Sequence, residues 1–436
     1  MEISASEVQQ RTIDEALQAG LDIIHASPPQ NAVEWADEHY YLSPESSGVE
    51  GRWRTLPYQK AALLCMTSDD IQTVNWLKCA RVGYTKLLCV TTAYFITHRR
   101  RNGVIYQPTD SDAADFVADE INPAMRDVKV FGDALLADPE KLSRYNKTDK
   151  KVYKGATLDI KGGKSARSFR RLTKDFVIYD ELDGFDGDIE NEGTPVSLGD
   201  VRVQTSSFPK SIRGSTPGLE GESMTEDEFR HSDYQFYRYL PCPHCDHMQK
   251  LTWKPETRED TEEIFTAGMK FEDNDPETAH FECCSCKKAI KYEKYAKMDE
   301  KGAWMTDDGY YLSDNDGALY DPEGNRLPAP KSVGFCIWAA YSYYKTWKDI
   351  IHDFLTANAA RKKGDPTKMK SFINVVLGQS YGETKTEADK ELLKRHREPY
   401  AEEVPAGVIH VTAGADVQDD RIEVEICGWG VAEESW

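Results

Sequence analysis

The chain has 436 residues, 39% hydrophobic and 30% charged, which describes a globular protein with room for two or three domains, each with its own core. A formal net charge of -21 excludes coating of nucleic acid by bulk attraction, so contact with DNA would need local basic patches. Neither a membrane-length apolar run nor a signal-peptide layout is present, so a cytosolic protein is expected.

Two patches could supply that contact: His98-Arg99-Arg100-Arg101, and the run Lys161, Lys164, Arg167, Arg170 and Arg171. Each could equally be a solvated charged face. Of ten cysteines, five fall between Cys242 and Cys286 and the rest are scattered in apolar contexts, which implies reduced thiols plus one metal site.

In chain order, an N-terminal segment (1–50) carries a helical pattern with Ile13, Ala16, Leu17 and Leu21, then a short helix over 32–39. Tyr58 and Gln59 follow, where an aromatic and an amide can stack on and hydrogen-bond an adenine edge; the plainer reading is a structural pair at a helix start. Residues 74–77 predict a strand and 87–97 a helix. Between them stands Lys78-Cys79-Ala80-Arg81-Val82-Gly83-Tyr84-Thr85-Lys86, where a phosphate-binding loop belongs. On the pattern G-x-x-x-x-G-K-[ST], Gly83 is the second glycine and Thr85 the Mg²⁺-binding hydroxyl. Lys78, however, occupies the first glycine position and Tyr84 the lysine position. Taken alone, the stretch fits an ordinary strand-to-helix turn as well.

Residues 103–110 predict a strand and turn, 111–125 a helix capped by Thr109-Asp110-Ser111, and 152–160 a strand or hairpin edge. Residues 176–179 read as a buried parallel strand ending in Asp180 and Glu181. There an Asp can hold Mg²⁺ and the following Glu can orient and deprotonate the attacking water. The competing reading is an acidic surface turn, since Asp183, Asp186 and Asp188 follow. Together, the loop and the acidic pair point to a P-loop (ASCE-type) ATPase core over 51–220 whose lysine is displaced to Lys78. A further strand is expected over 201–205, leading to Gly214-Ser215-Thr216-Pro217. This alternation of strands and helices predicts an α/β fold with a mostly parallel sheet and ligands at the strand carboxyl ends. The candidate nucleotide site is Tyr58, Gln59, Lys78, Gly83, Thr85, Lys86, Asp180, Ser215 and Thr216.

Residues 221–330 form an expected zinc-ribbon-like module. Cys242-Pro243-His244-Cys245 and Cys283-Cys284-Ser285-Cys286 have the spacing of two knuckles on one tetrahedral Zn²⁺, held by Cys242, Cys245, Cys283 and Cys286. Cys284, His244 or His247 could replace one ligand. With four protein ligands the ion would be structural. The acidic stretches 257–264 and 272–277 read as solvated loops. A helical subdomain and linker is expected over 331–400: an aromatic-rich segment (334–344), helices over 347–362 and 368–377, and a charged helical linker over 385–396. Residues 408–418 and 421–429 alternate with period two around Asp419-Asp420, a β-hairpin with Asp416 near the end of its first strand. Such a hairpin is not stable alone. Either it pairs with the preceding domain or it opens a third one; an Asp in this place is how RNase H-like nucleases begin, as one of a carboxylate cluster that holds two metals, so one reading of 401–436 is the start of such a nuclease domain.

Together these pieces resemble the large terminase subunit of lambda-type tailed phages, the GpA family, from about Trp35 to Trp436. The likeness rests on Leu56-Pro57-Tyr58-Gln59, the Lys-first loop, Gln107-Pro108-Thr109-Asp110, Tyr179-Asp180-Glu181-Leu182-Asp183 and Gly214-Ser215-Thr216-Pro217. It also covers the paired knuckles, residues 372–378, and Gly414-Ala415-Asp416 with Gly428-Trp429-Gly430. The resemblance implies ATP-driven translocation of double-stranded DNA into a procapsid and a C-terminal nuclease that cuts concatemers. Lys78 would bind phosphates, Thr85 and Asp180 the Mg²⁺; Glu181 would activate water, and Ser215-Thr216 would couple hydrolysis to movement. Arg81 would sense or stabilise the γ-phosphate, with Arg167 or Arg170 as candidates across a subunit boundary. Asp416 matches the first nuclease carboxylate, binding Mg²⁺ or Mn²⁺. A small terminase subunit, a capsid portal and a homo-oligomeric ring in the host cytoplasm are the implied partners and setting. The remaining nuclease carboxylates are expected beyond residue 436, so ATP hydrolysis is expected of this chain and cleavage is not. Competing readings are a helicase-like or repair ATPase, whose second motor lobe has no counterpart over 331–436, and a zinc-stabilised scaffold with a decayed ATP site.

Overall fold

Residues 30–136, 145–256, 264–382, 404–405, 407–417 and 421–431 are described by the structure, a computed structural model. The expected helix around Ile13 to Leu21, the linker 385–396, nearly all of the acidic stretch 257–264 and the turn at Asp419-Asp420 lie outside the described residues. The chain divides into two units, 1–381 and 382–436.

In the first unit, short runs of apolar, β-branched and aromatic residues become the central strands, buried on both faces, while the strands toward the two edges are partly exposed. In chain order they are β1 (Thr73–Lys78), β2 (Gly103–Gln107), β3 (Lys150–Tyr153), β4 (Ala156–Gly162), β5 (Phe176–Asp180) and β6 (Lys210–Ser215). There follow β7 (Tyr234–Pro241), β8 (Met248–Thr252), β9 (Ala267–Glu272), β10 (Asp275–Glu282), β11 (Ala289–Ile290) and β12 (Ser332–Ile337). Across the sheet the order is β11-β10-β9-β8-β7-β12-β1-β6-β5-β2-β4-β3. From β7 across to β4 every neighbouring pair is parallel. The β3–β4, β7–β8, β9–β10 and β10–β11 pairs are antiparallel. This is an α/β fold with a mostly parallel central sheet, as the alternation in the sequence implies. Successive side chains serve opposite faces: Ile105, Phe176 and Ile178 join the larger core cluster, while Val104, Tyr106, Val177 and Tyr179 join the smaller.

Helix α1 (Ala32–His39) is closed at its start by Asn31 and Glu34 in a reciprocal capping box, and α2 (Pro57–Thr67) starts with proline in its first turn. Helix α3 (Tyr84–Thr97) links β1 to β2, with Gly83 in the left-handed conformation at its start. Thr109 caps α4 (Asp110–Phe116), but the helix expected over 111–125 is interrupted by a π-helical turn, Val117–Ile121, before it resumes at Asn122–Asp127. Thr346 caps α5 (Trp347–Arg361), and Thr367–Ser371 runs into a second π-helical turn, Phe372–Leu377.

Several expectations are corrected. Residues 201–205 are turns, and the strand is β6 a few residues later. Its charges disguise it in the sequence: Lys210 donates to the carbonyls of Cys65 and Ile71, and Arg213 pairs with Asp200 and Glu228, so both are buried with partners. The aromatic-rich segment contains β12, a central strand lying between β1 and β7, where a helical subdomain was expected. Strands β7 to β11 extend the same sheet. The stretch 272–277 is a hairpin corner, with Asp273 and Asn274 both at positive φ as a two-residue turn requires.

The second unit holds β13 (His410–Val417) and β14 (Ile422–Trp429), antiparallel in register from His410 opposite Trp429 to Val417 opposite Ile422. The Trp429 indole donates to Thr412 Oγ1 at 2.8 Å.

Candidate active site

The carboxyl ends of β12, β1, β6, β5 and β2 lie side by side, and the sequence stretches singled out above end there. A cleft at this edge is lined by Lys78, Arg81, Gly83, Thr85, Lys86, Glu120, Glu181 and Thr216, among others. Lys78, the last residue of β1, is buried, and its Nζ lies 3.0 Å from Glu181 Oε1. The other oxygen of Glu181 accepts from the Ser215 hydroxyl at 3.1 Å. Ser215 ends β6, the strand between β1 and β5, so it reaches the carboxylate from the middle of the site. Glu181 itself has φ 51 and ψ 54, a left-handed backbone that a non-glycine residue adopts only at a cost.

Asp180 is buried beside it. Gln107 Nε2 donates to Oδ2 and the Glu181 N–H to Oδ1, each at 3.1 Å. Burial pushes the Asp180 carboxyl up to about 6, with the Glu181 carboxylate adding to the rise and Lys78 opposing it. Gln107 belongs to a motif quoted from the sequence but had no role there. Asp183 accepts from the N–H groups of Gly218 and Thr225, at 2.8 and 2.7 Å, and so fixes the loop after Ser215 and Thr216.

The glycine at 83 is required, because its φ is 74 and a Cβ there would lie 2.8 Å from Gln59 Nε2. Helix α3 opens immediately after it, leaving the N–H groups of its first turn, including those of Tyr84, Thr85 and Lys86, without intrahelical partners and aimed at the cleft. Four contacts hold the loop's shape: Cys79 N to Ile337 O, Ala80 N to Val375 O, Ser342 Oγ to Arg81 O and Tyr58 Oη to Val82 O, at 2.9–3.0 Å. Arg81 is exposed at the rim with φ 60. Lys86 is paired with Glu120, a carboxylate on the first π-helical turn that the sequence reading did not single out.

Tyr58 is corrected, and Gln59 lies beside the loop. Tyr58 is fully buried, its ring stacked on Tyr343 and its hydroxyl tied to Val82. Gln59 is buried too, its Oε1 accepting from Leu56 N. Tyr58 supports the loop from beneath with its ring turned away from any adenine, whereas Gln59 Nε2 faces the loop at Gly83. Of the basic patches, in 98–101 Arg99 and Arg101 both pair with Asp69, while Arg100 is exposed. In the other, Arg170 pairs with Glu192 while Lys164, Arg167 and Arg171 are exposed.

At the far edge of the sheet, Cys242 and Cys245 lie in the β7–β8 turn and Cys283 and Cys286 in the β10–β11 turn. Asp246 and Lys287, both at φ 58, bend the two turns alike. The four sulfurs lie within 4.8 Å of one another. Thiolates about 2.3 Å from a tetrahedral ion sit about 3.8 Å apart; the Cys242–Cys286 and Cys245–Cys283 distances are both 3.8 Å. Cys284 is outside this group, its N–H donating to Gln249. The Lys288 N–H draws the Cys286 thiol down to about 7, while burial pushes Cys242 up to about 12. Asp416 stands on β13 opposite Glu423.

The fold and cleft define a class: an α/β protein with its site at the strand carboxyl ends of an open, mostly parallel sheet. The sequence pattern described as "Phage terminase large subunit gpA, ATPase domain" matches residues 47–304, and "Terminase large subunit gpA, endonuclease domain" matches residues 332–436. The chain belongs to the phage terminase large subunit gpA family, which bears out the resemblance read from its motifs. It is 37% identical over 423 residues to the terminase large subunit of Enterobacteria phage P21, covering 97% of this chain and 64% of that protein. To that of Escherichia phage lambda it is 38% identical over 444 residues, covering 100% and 66%. The chain thus spans about two thirds of the length of these relatives. Among solved structures, the large terminase of HK97 bacteriophage covers 93% of this chain and 66% of its own at 12% identity, with a TM-score of 0.45. The second family pattern begins at residue 332, the first residue of β12, so the boundary between the two patterns falls inside the central sheet.

Proposed function

We propose that this chain is the ATP-hydrolysing motor of a phage packaging machine, driving double-stranded DNA into a procapsid. The observation that carries the reading is the contact of Lys78 with Glu181 inside the cleft that also holds Gly83 and Thr85. Lys78 and the first-turn N–H groups of α3 would hold the phosphates, and Thr85 and Asp180 would hold Mg²⁺. When bound, that ion supplies neutralisation of the phosphate charge. Lys78 and Ser215 hold Glu181 at the strand end; once phosphates take up Lys78, the carboxylate is released from the ammonium but kept by Ser215, placed to accept a proton from water. Ser215 and Thr216 therefore register the state of Glu181 and would pass it on to movement. Arg81 at the rim would face the γ-phosphate.

Cys242, Cys245, Cys283 and Cys286 would hold one structural Zn²⁺, and Asp416 would be one carboxylate of a two-metal nuclease site taking Mg²⁺ or Mn²⁺. Double-stranded DNA, a small terminase subunit, a capsid portal and a ring of further copies are the proposed partners, in the host cytoplasm. Among the described residues no helix is long and apolar enough to cross a membrane. The test is DNA-stimulated ATPase activity of the wild type, Lys78→Ala and Glu181→Gln. Each substitution should slow turnover at least about a hundredfold, about 2.7 kcal/mol in barrier. A silent wild type, or variants that keep pace with it, would remove the reading.

A further inference from the structure

Tyr84 stands where the general phosphate loop places its lysine. It is buried at the start of α3, against Trp76 of β1 with ring centroids 5.7 Å apart. Next to Trp76, β6 makes room for the ring by carrying Gly214, where a Cβ would lie 2.6 Å from Tyr84 and 2.8 Å from Trp76 Cβ. Lys78 Nζ lies 5.2 Å from the ring centroid, within the range at which an aromatic face attracts a cation, and the attraction grows when water is excluded. The phenol oxygen is buried and has no hydrogen-bond partner among the described residues, so what the fold uses is the ring.

Lys78 rises from the end of a strand on a flexible four-carbon stem. Glu181 holds the ammonium from one side and Tyr84 from another. Phosphates that displaced Glu181 would leave the ring in place. We propose that Tyr84 is a positioning residue: its ring is the platform that keeps the displaced Lys78 ammonium in the cleft, so ring and strand-end lysine together replace the single helix-start lysine of the general loop. The inference rests on the nucleotide reading above.

The test is a double-mutant cycle on the full chain, read as ADP affinity by calorimetry, with Tyr84→Phe and Tyr84→Leu each made in the wild type and in Lys78→Ala. Phe should stay within about twofold of wild type, and Leu should weaken binding about tenfold while Lys78 is present. In the Lys78→Ala background, Leu should change affinity by less than about twofold, because no ammonium remains to be held. An equal loss from Leu in both backgrounds, or a Phe variant as weak as Leu, overturns the assignment and leaves the nucleotide reading intact. Unchanged affinity in Lys78→Ala alone overturns both. Tyr84→Met, closer in volume, carries the same comparison if the Leu variant does not fold.

Discussion

Asp180 carries the sharpest electrostatic consequence of single-residue placement. Its carboxyl has an ordinary value of 3.8 and is pushed to about 6, first by burial and then by Glu181. The native chain therefore takes up a proton below about pH 6 that the unfolded chain does not yet hold. The group's contribution to stability is fully present below about pH 4 and is lost as pH rises through about 6. Above that, the metal-free protein carries a buried charge at a cost of roughly 2–3 kcal/mol. Asp180→Asn with metal removed should thus be more stable than wild type in urea at pH 8, by roughly 1–3 kcal/mol, and the gap should narrow by roughly 1–1.5 kcal/mol as pH is lowered to 5. A gap independent of pH would place the effect elsewhere. At this scale the sequence is legible where the chemistry is local: Asp180 and Glu181 are adjacent, and Lys78 follows an apolar run. It is illegible where burial depends on distant partners. Tyr58 is covered by Tyr343 and its carbonyl accepts from Trp304, neither of which a local pattern can place beside it.

Among elements, the loop over 78–86 is held by two segments far later in the chain, at Ile337 and Val375. β12 receives the Cys79 N–H, and the π-helical turn Phe372–Leu377 receives the Ala80 N–H on Val375. Gly378 ends that turn at φ 63, and a Cβ on it would lie 2.9 Å from Cys79 N and 3.1 Å from Ile337 O. Gly378→Ala therefore meets backbone on the loop as well as left-handed strain. Gly364 is the matched control: its φ is 89 and nothing lies within 4 Å of its Cβ position. Gly364→Ala should cost only the conformational penalty, about 1–2 kcal/mol. Gly378→Ala should cost more in urea unfolding and also raise KM for ATP about tenfold, as expected when a shifted loop misplaces binding groups. Equal costs and equal KM values would mean that the turn does not brace the loop. β12 escapes the sequence reading because Val333, Phe335 and Ile337, which face the core, alternate with Gly334, whose missing side chain admits Phe229, and with Cys336. Small residues at a crowded centre look like a loop until the neighbours are known.

Across the whole molecule, the central sheet joins the loop to the cysteine cluster. β12 pairs with β1 on one side and with β7 on the other, and β7 runs directly into Cys242. The knuckle spacing was legible because metal-ligand geometry is local; that the surrounding strands continue the main sheet was not, because sheet order is set by pairing at long range. The proposed zinc site lies on strands of the main sheet and should therefore behave differently from an autonomous zinc module. Elemental analysis of protein purified without chelator should find about one Zn²⁺ per chain, and Cys242→Ser or Cys286→Ser should bring it near zero. Hydrogen exchange after chelation should rise most at the two knuckles and along β10 and β11, less along β7, and least in β1, because β7 keeps its parallel pairing with β12 when its far end is released. Zinc-free wild type, or exchange that rises equally across β1 and β11, would show that the cysteines do not anchor this edge through a metal. Unfolding confined to residues 242–290 with ATP turnover unchanged would mean that the sheet insulates the loop from its cysteine-bearing edge; a fall in turnover along with it would make β12 the route between them.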